Sequence, residues 1–215
     1  MLGLEGDVSG QRDWFFFVNG VNASVGAKQA RLRDGDTVWW DHRFWGDLID
    51  TPEVVGSWPA PYALAGGRGP EVSADPPLAG ALEEAGARLV TGDAAWRVRV
   101  GTSDDLARRD PAWRRALDSP DAAGLTVTVE DGRIVAIGPD GGPREPVPGA
   151  RALVAAVPTG ASPGDGALMV VAGLDAQAAD AAAEAVAADP GMLRLAYAVA
   201  MDGDGAVLRA GGRAP

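Results

Sequence analysis

The stretch "DWFFFVNG", residues 13–20, decides how the first part of the chain folds. Strand alternation sends Trp14 and Phe16 to one face and Phe15 and Phe17 to the other, so both faces are bulky and apolar. This pattern predicts a central strand that is covered on both sides. The Asn-Gly pair that follows predicts a two-residue hairpin turn, because both residues accept a positive φ.

The composition limits the classes of partner. The chain has 215 residues, of which 47% are hydrophobic, which is enough for one large domain or two small ones. With 30 Asp and Glu against 19 Lys and Arg, the net charge of −11 argues against a nucleic-acid backbone or an anionic membrane surface as the main partner. There is no Cys, hence no disulfide and no thiolate chemistry. The given sequence shows no signal peptide and no membrane-spanning stretch.

The amino-acid composition and pattern change twice along the chain. Residues 1–48 hold the aromatic strand and a second predicted strand at 37–43, and residues 49–77 are rich in Pro and Gly, which predicts a linker. Residues 78–215 predict an α/β sandwich domain with a mixed sheet, so the fold class expected for the whole chain is α+β. The predicted strands of this second part lie at 96–100, 152–157 and 167–172, with a hairpin turning at residues 131–132 and a last hairpin at 193–210. Helices are predicted at 103–117, with Ser103 as the N-cap and a break or kink at Pro111, and at 175–188.

The candidate catalytic and metal-binding motifs of the sequence are all incomplete or have a simpler structural explanation. "GASPG", residues 160–164, fits G-x-S-x-G, but a Pro and then a predicted strand follow the Ser, where a nucleophile elbow needs a helix. "DGDG", residues 202–205, lacks the later Gly and Glu of a calcium loop. The carboxylates of Asp104, Asp105 and Asp175 lie at predicted helix starts, where capping explains them. We therefore predict that the chain is not an enzyme and has no metal site of its own.

A cluster of aromatic residues is the most unusual feature. In "WWDHRFW", residues 39–45, alternation cannot bury Trp39 and Trp40 on the same face, so one of them is a candidate for a stacking surface or for the contact between the two halves. His42 is the only His in the chain; it is either a metal ligand or, more commonly, a polar residue on the wet face of a strand. The candidate ligand-binding residues are Trp39, Trp40, His42, Trp45, Trp58 and Tyr62.

Residues 4–45 resemble the C-terminal, β-grasp-like domain of the transcobalamin family. Several short features in a fixed order carry the resemblance: the end of the aromatic strand, a small-residue turn, a Leu before an acidic turn, and a Val before the Trp pair. In this sequence they are Val18, Asn19 and Gly20; Val25, Gly26 and Ala27; Leu32 with Asp34, Gly35 and Asp36; and Val38 with Trp39 and Trp40. The two-part arrangement as a whole is similar to that of actinobacterial proteins that carry this domain.

The resemblance implies a ligand, a location and an incomplete domain. Transcobalamins cover one side of a corrinoid with this domain, so a corrinoid is the ligand implied here, with His42 as a candidate axial ligand of cobalt. Secreted and surface proteins carry the domain, which implies an extracellular or cell-surface location. In the family another strand and a helix precede the aromatic strand, so the domain is expected to be incomplete at its N-terminus.

Two hypotheses of function follow. The first is a non-enzymatic extracytoplasmic or cell-surface binding module, which holds a corrinoid, another small ligand, a glycan or a protein partner at an aromatic cleft. The alternative is a structural or adaptor protein that docks a transporter or an envelope component through its aromatic strip.

Overall fold

The computed structural model describes residues 5–44, 51–138, 142–162 and 164–211, which form an α+β fold as predicted. The strands build three sheets: a three-stranded sheet with the order β2-β1-β3, a seven-stranded sheet with the order β13-β12-β10-β11-β6-β4-β5, and a three-stranded sheet with the order β7-β8-β9. No helix within these ranges is both long enough and apolar enough to cross a membrane.

The bounds of the elements follow the chain. The strands are β1 (Arg12–Val18), β2 (Val21–Asn22), β3 (Val38–Phe44), β4 (Glu71–Ala74), β5 (Arg88–Leu89), β6 (Trp96–Thr102), β7 (Val127–Glu130), β8 (Arg133–Ile137), β9 (Arg144–Pro146), β10 (Ala152–Pro158), β11 (Ala167–Gly173), β12 (Ala198–Met201) and β13 (Val207–Gly211). The α-helices are α1 (Leu78–Glu84), α2 (Ser103–Arg109), α3 (Pro111–Asp118) and α4 (Ala176–Ala188).

The N-terminal sheet confirms the central position of the aromatic strand. β1 pairs with β2 on one side and with β3 on the other, both antiparallel. Asn19 and Gly20 have φ of 54° and 78°, as the predicted hairpin turn requires. On β1 itself, Phe16 and Phe17 on the two opposite faces are both buried, whereas Trp14 and Phe15 are only half-buried. Trp40, opposite Phe16 on β3, is exposed.

The large sheet is mixed, as predicted for the second part of the chain. β4, β5, β6 and β11 run parallel, while β10 pairs antiparallel with both β11 and β12. α1 and α4 cover one face and α2 and α3 the other, where the β7-β8-β9 sheet also packs. Because β10 and β11 are apolar at every position, their alternate side chains fill two separate cores.

The predicted break and the predicted start of the last helix are confirmed, and one predicted cap is shifted by a residue. The predicted break at Pro111 separates α2 from α3, and the side chain of Asp110 caps α3 by accepting from the N–H of Ala112. α4 begins after Asp175, whose side chain accepts from the N–H of Ala178. The cap of α2 is Thr102, one residue before the expected Ser103.

The Pro- and Gly-rich segment is packed, where a linker would be exposed. Residues 51–63 are buried almost throughout, and Val54, Val55 and Tyr62 belong to the core that α1 and α4 cover. Glu71–Ala74 form β4 inside the large sheet. The two-domain division at 48 and 78 stays a prediction. The segment between these positions contacts both halves, because Glu53 pairs with Arg43 of β3 while Val54, Val55 and Tyr62 pack into the core of the large sheet.

The hairpin turn at Asn19 gives a test of this arrangement. The side-chain amide of Asn19 donates to Asp36 (2.9 Å) and accepts from the N–H of Thr37 (2.9 Å), so Asn19→Ala removes two partly buried hydrogen bonds. The control is Asp131→Ala in the β7-β8 turn, where φ is 49° but no hydrogen bond of the side chain is seen within the described residues. We expect Asn19→Ala to lower the free energy of unfolding in urea by about 2 kcal/mol more than Asp131→Ala does. Equal losses would show that the turn conformation alone matters.

Candidate functional site

The two faces of β3 point in opposite directions, and this decides which aromatic residues meet. Trp39, Asp41 and Arg43 are buried, whereas Val38 and Trp40 are 37% and 54% exposed. The buried set faces the second half of the chain, where the rings of Trp39 and Tyr197 meet edge to face with their centroids 5.6 Å apart. The exposed set continues the face that carries Trp14 and Phe16 on β1.

A cleft of about 390 Å³ lies at this junction. Its walls come from three separate segments: the start of β3, the turn that carries Gly56 and Trp58, and the stretch from Pro190 to Leu195. Trp39 and Trp58 provide most of the aromatic lining, and Arg194 is the charged residue among the described residues that line the cleft. Its volume lies within the range of small-molecule sites, and polar and apolar groups share its walls about equally.

Two polar groups of the lining residues have no hydrogen-bond partner within the described residues. They are Nε1 of Trp39, whose residue is 9% exposed, and Oγ of Ser57, whose residue is 5% exposed. Buried polar atoms in native proteins are nearly always paired, and an unpaired one costs about 1–3 kcal/mol. Both atoms are closed off from the space of the cleft, so this cost belongs to the packing of its walls.

Gly56 brings the segment that carries Ser57 and Trp58 against Trp39. A Cβ on Gly56 would lie 2.5 Å from two carbons of the Trp39 ring and 2.6 Å from the carbonyl oxygen of Ala196. Only a residue without a side chain allows this approach. Behind the cleft, the Trp58 and Tyr62 rings are 5.8 Å apart and the Tyr62 and Trp96 rings 6.0 Å apart, so an aromatic row supports the wall.

A buried ionic cluster fixes β3 to the segment that forms the cleft. Arg43 is 1% exposed; its Nε lies 2.6 Å from Asp41 and its Nη2 lies 2.5 Å from Oε1 of Glu53. Its Nη1 also donates to the carbonyl oxygen of Thr51 at 3.0 Å, and its guanidinium stacks 4.3 Å from the centroid of the Phe17 ring. Charges buried in this way are tolerated only when they are paired and hydrogen-bonded.

The cluster has one guanidinium for two carboxylates, so full ionisation leaves a buried negative charge. Burial raises the pKa of Glu53 to about 8, although the adjacent Arg43 opposes the shift, and the charge of Asp41 adds to the rise. Oε2 of Glu53 has no hydrogen-bond partner among the described residues, which favours the protonated form further. Burial, then the carboxylates of Glu53 and Asp41, also raise the pKa of Tyr197.

The structure places the predicted site residues in two groups. Trp39 and Trp58 line the cleft, and Tyr62 supports Trp58 from the core. Trp40 and His42 lie on the opposite face of β3, where the His42 ring is 5.3 Å from the Trp14 ring and its Nε2 is 3.2 Å from the carbonyl oxygen of Glu5. Trp45 lies outside the described residues. No group of three or more potential metal ligands occurs in the part of the chain that the structure describes.

Sequence reasoning missed Gly56, Ser57 and Arg194 in the cleft, and Glu53 below it. Asp41 and Arg43 share a face with Trp39 by simple alternation, so their position was accessible from the sequence. The contribution of residues 190–195 was not, because nothing local relates that stretch to β3.

Gly56→Ala tests the close approach. The added methyl group pushes on the Trp39 ring and on a backbone carbonyl, and we expect a loss of about 2 kcal/mol in the free energy of unfolding, with a changed near-ultraviolet circular dichroism of the Trp residues. Gly80→Ala in α1 is the control, since its methyl group meets nothing within 4 Å and replaces a helical Gly. That variant should gain about 0.5–1 kcal/mol. A neutral or stabilising Gly56→Ala would contradict the tight packing.

Glu53 gives the protein a specific pH dependence. Because the pKa of Glu53 is higher in the folded state (about 8) than its ordinary value of 4.5, its contribution to stability is complete below pH 4.5 and is lost as the pH rises through 8. Between pH 5 and pH 8 we expect the free energy of unfolding to fall by up to about 1.4 kcal/mol per pH unit from this group. Urea unfolding at pH 5, 6.5 and 8 measures the slope.

Glu53→Gln should remove this part of the slope, whereas Glu71→Gln, in an exposed ion pair with Arg88, should keep it. The comparison uses slopes, so a general loss of stability in Glu53→Gln does not disturb it. An unchanged slope in Glu53→Gln would assign the pH dependence to other groups.

Comparison with known proteins adds one finding. A family model described as a domain of unknown function (DUF4430) matches residues 2–43, the part that contains β1 and β2 and most of β3. No curated protein and no solved structure matches the chain. The match covers the segment on which the transcobalamin resemblance rests, and it supplies no ligand and no activity.

Proposed function

We propose that this protein is a non-enzymatic binding module that holds a small ligand in the cleft between Trp39 and Trp58. The observation that carries the proposal is the cleft itself, whose walls combine the aromatic residues Trp39 and Trp58 with Ser57 and the charged Arg194. The cleft volume of about 390 Å³ lies within the range of small-molecule sites. The aromatic walls suit a ligand with a flat apolar part.

The size of the cleft favours a ligand smaller than a whole corrinoid. A corrinoid is the ligand that the transcobalamin resemblance of residues 4–45 suggests, but a cleft of about 390 Å³ would enclose only a part of it. His42, the proposed cobalt ligand, lies on the other face of β3, so it does not serve this cleft. A corrinoid held by His42 would have to sit on that outer face, and hydroxocobalamin is therefore one probe of the test below.

The proposed location is extracellular or at the cell surface. It rests on the resemblance of the N-terminal segment to a domain of secreted and surface proteins, and no feature of the cleft bears on it. Detection of the native protein in cell-surface and culture fractions with an antibody tests the location independently of any ligand.

The second candidate is an adaptor that docks a transporter or an envelope component. The outer face of the small sheet supports it, because Trp40 is 54% exposed there, on the face that it shares with Trp14 and His42. The two candidates use opposite faces of one strand, so neighbouring residues distinguish them.

Trp39→Phe and Trp40→Phe form the matched pair for this test. We expect 2-phenylacetamide to quench the Trp fluorescence of the wild type saturably, with a dissociation constant of roughly 1 mM, as suits so small a ligand. The quenching should be lost or strongly reduced in Trp39→Phe and kept in Trp40→Phe, since Trp39 lines the cleft and Trp40 does not.

Hydroxocobalamin is titrated in parallel and followed by its own absorbance. Saturable binding that disappears in His42→Ala or Trp40→Phe would place a corrinoid on the outer face and contradict the cleft. Failure of 2-phenylacetamide to bind, or quenching that depends on Trp40 and not on Trp39, would also overturn the proposed site.

A further inference from the structure

Resting on the proposed function, we infer that the cleft selects a small organic anion, a carboxylate carried on an apolar body of the size of one ring. The inference concerns the chemical class of the ligand, which neither the family match nor the transcobalamin resemblance supplies. The hydrogen-bond donors of the cleft, its charge and its walls support this ligand class.

The charged side chain that lines the cleft offers only donors. The guanidinium of Arg194 has five donors and no acceptor. Nε1 of Trp39 and Oγ of Ser57 are closed off from the space of the cleft, so they offer it no hydrogen bond. A ligand group bound at Arg194 must therefore present acceptors, and a carboxylate presents two acceptor oxygens with about four lone-pair sites.

The charge of the cleft is positive although the chain as a whole carries −11. Arg194 is exposed at the rim, and its side chain makes no ion pair or hydrogen bond with the residues that the structure describes. Most of the other arginines are engaged; those in ion pairs are Arg43, Arg68, Arg88, Arg97, Arg99, Arg108, Arg109, Arg144 and Arg151. An unpaired arginine alone would not indicate a site, since Arg133 is another; Arg194 differs because it shares a cleft with the aromatic walls of Trp39 and Trp58.

No carboxylate is among the described residues that line the cleft, although Asp189 accepts from the N–H of Gly191 (3.0 Å), a residue of the wall. Asp41 and Glu53 lie around the buried guanidinium of Arg43, which is paired with both of them. The remaining lining is apolar or neutral, with Pro190 and Leu195 facing the two Trp residues. An anion bound at Arg194 thus meets one unpaired positive charge, and its apolar part meets the aromatic walls.

Three ligands with the same ring and different charge test the inference: phenylacetate, 2-phenylacetamide and 2-phenylethylammonium. We expect phenylacetate to bind about tenfold more tightly than the neutral amide, a value that allows for the exposure of Arg194, and the ammonium to bind most weakly. Binding of phenylacetate should weaken with added salt, while binding of the amide should not. Trp fluorescence on the full chain is the measurement.

Arg194→Gln should remove the preference for phenylacetate over 2-phenylacetamide, because a neutral side chain no longer favours the charged ligand. Arg194→Lys should restore part of the preference, because it keeps the charge without the planar donors. Arg133→Gln, at an exposed arginine away from the cleft, is the control and should behave like the wild type. Since Arg194 is exposed and makes no side-chain hydrogen bond or ion pair within the described residues, its variants should fold normally.

The outcomes separate the inference from the proposed function. If the amide binds as tightly as the carboxylate, or if Arg194→Gln keeps the preference, the inference is overturned while binding that depends on Trp39 keeps the cleft as a site. If none of the three ligands binds, the inference and the proposed function fall together.

Discussion

The buried guanidinium of Arg43 is the constraint on which the junction between the small sheet and the rest of the protein depends. Asp41 comes from the same strand, but Glu53 and the carbonyl oxygen of Thr51 come from the segment that follows. If β3 and that segment separate, Arg43 keeps Asp41 but loses its hydrogen bonds to Glu53 and Thr51, and a hydrogen bond of a charged group contributes about 1.5–3 kcal/mol. The cluster therefore fixes the position of β3 relative to residues 51–55.

The position of the cleft follows from this attachment. Glu53 lies three residues before Gly56, so fixing Glu53 against Arg43 brings Gly56 under the Trp39 ring and places Ser57 and Trp58 along one wall. The turn at Gly20 strengthens the contact, because its carbonyl oxygen accepts from the N–H of Glu53 at 2.7 Å. Because the pKa of Glu53 is raised to about 8, a proton on Glu53 below that pH leaves the cluster of Arg43, Asp41 and Glu53 without net charge.

The sequence predicted what short-range rules decide. Alternation separated Trp39 from Trp40, the Asn-Gly pair predicted the turn at Asn19, and Pro111 predicted the break between α2 and α3. Each of these depends on a few adjacent residues. The central position of β10 and β11 in the sheet of the second part was also predictable, because their apolar runs are typical of strands buried on both faces.

What the sequence did not predict depends on residues far apart in the chain. The Pro and Gly of residues 51–63 are typical of exposed linkers, yet Val54, Val55 and Tyr62 are fully buried, because the small sheet and the large sheet both need this segment as a partner. Alternation places Asp41 and Arg43 on one face but cannot say that this face is the buried one until Glu53 is known to approach. The wall at residues 190–195 likewise has no local signal.

The cleft therefore exists only when three distant segments are docked, and this couples ligand binding to the docking itself. A ligand that contacts Trp39 on β3, Ser57 in the following segment and Arg194 after α4 binds the docked state and not the separated one, so it must stabilise the docked state by mass action. The docking also explains why two unpartnered polar groups can persist there. Nε1 of Trp39 and Oγ of Ser57 lie inside the packed walls, where Gly56 approaches the Trp39 ring, so the cost of leaving them unpaired is carried by the docking of the three segments.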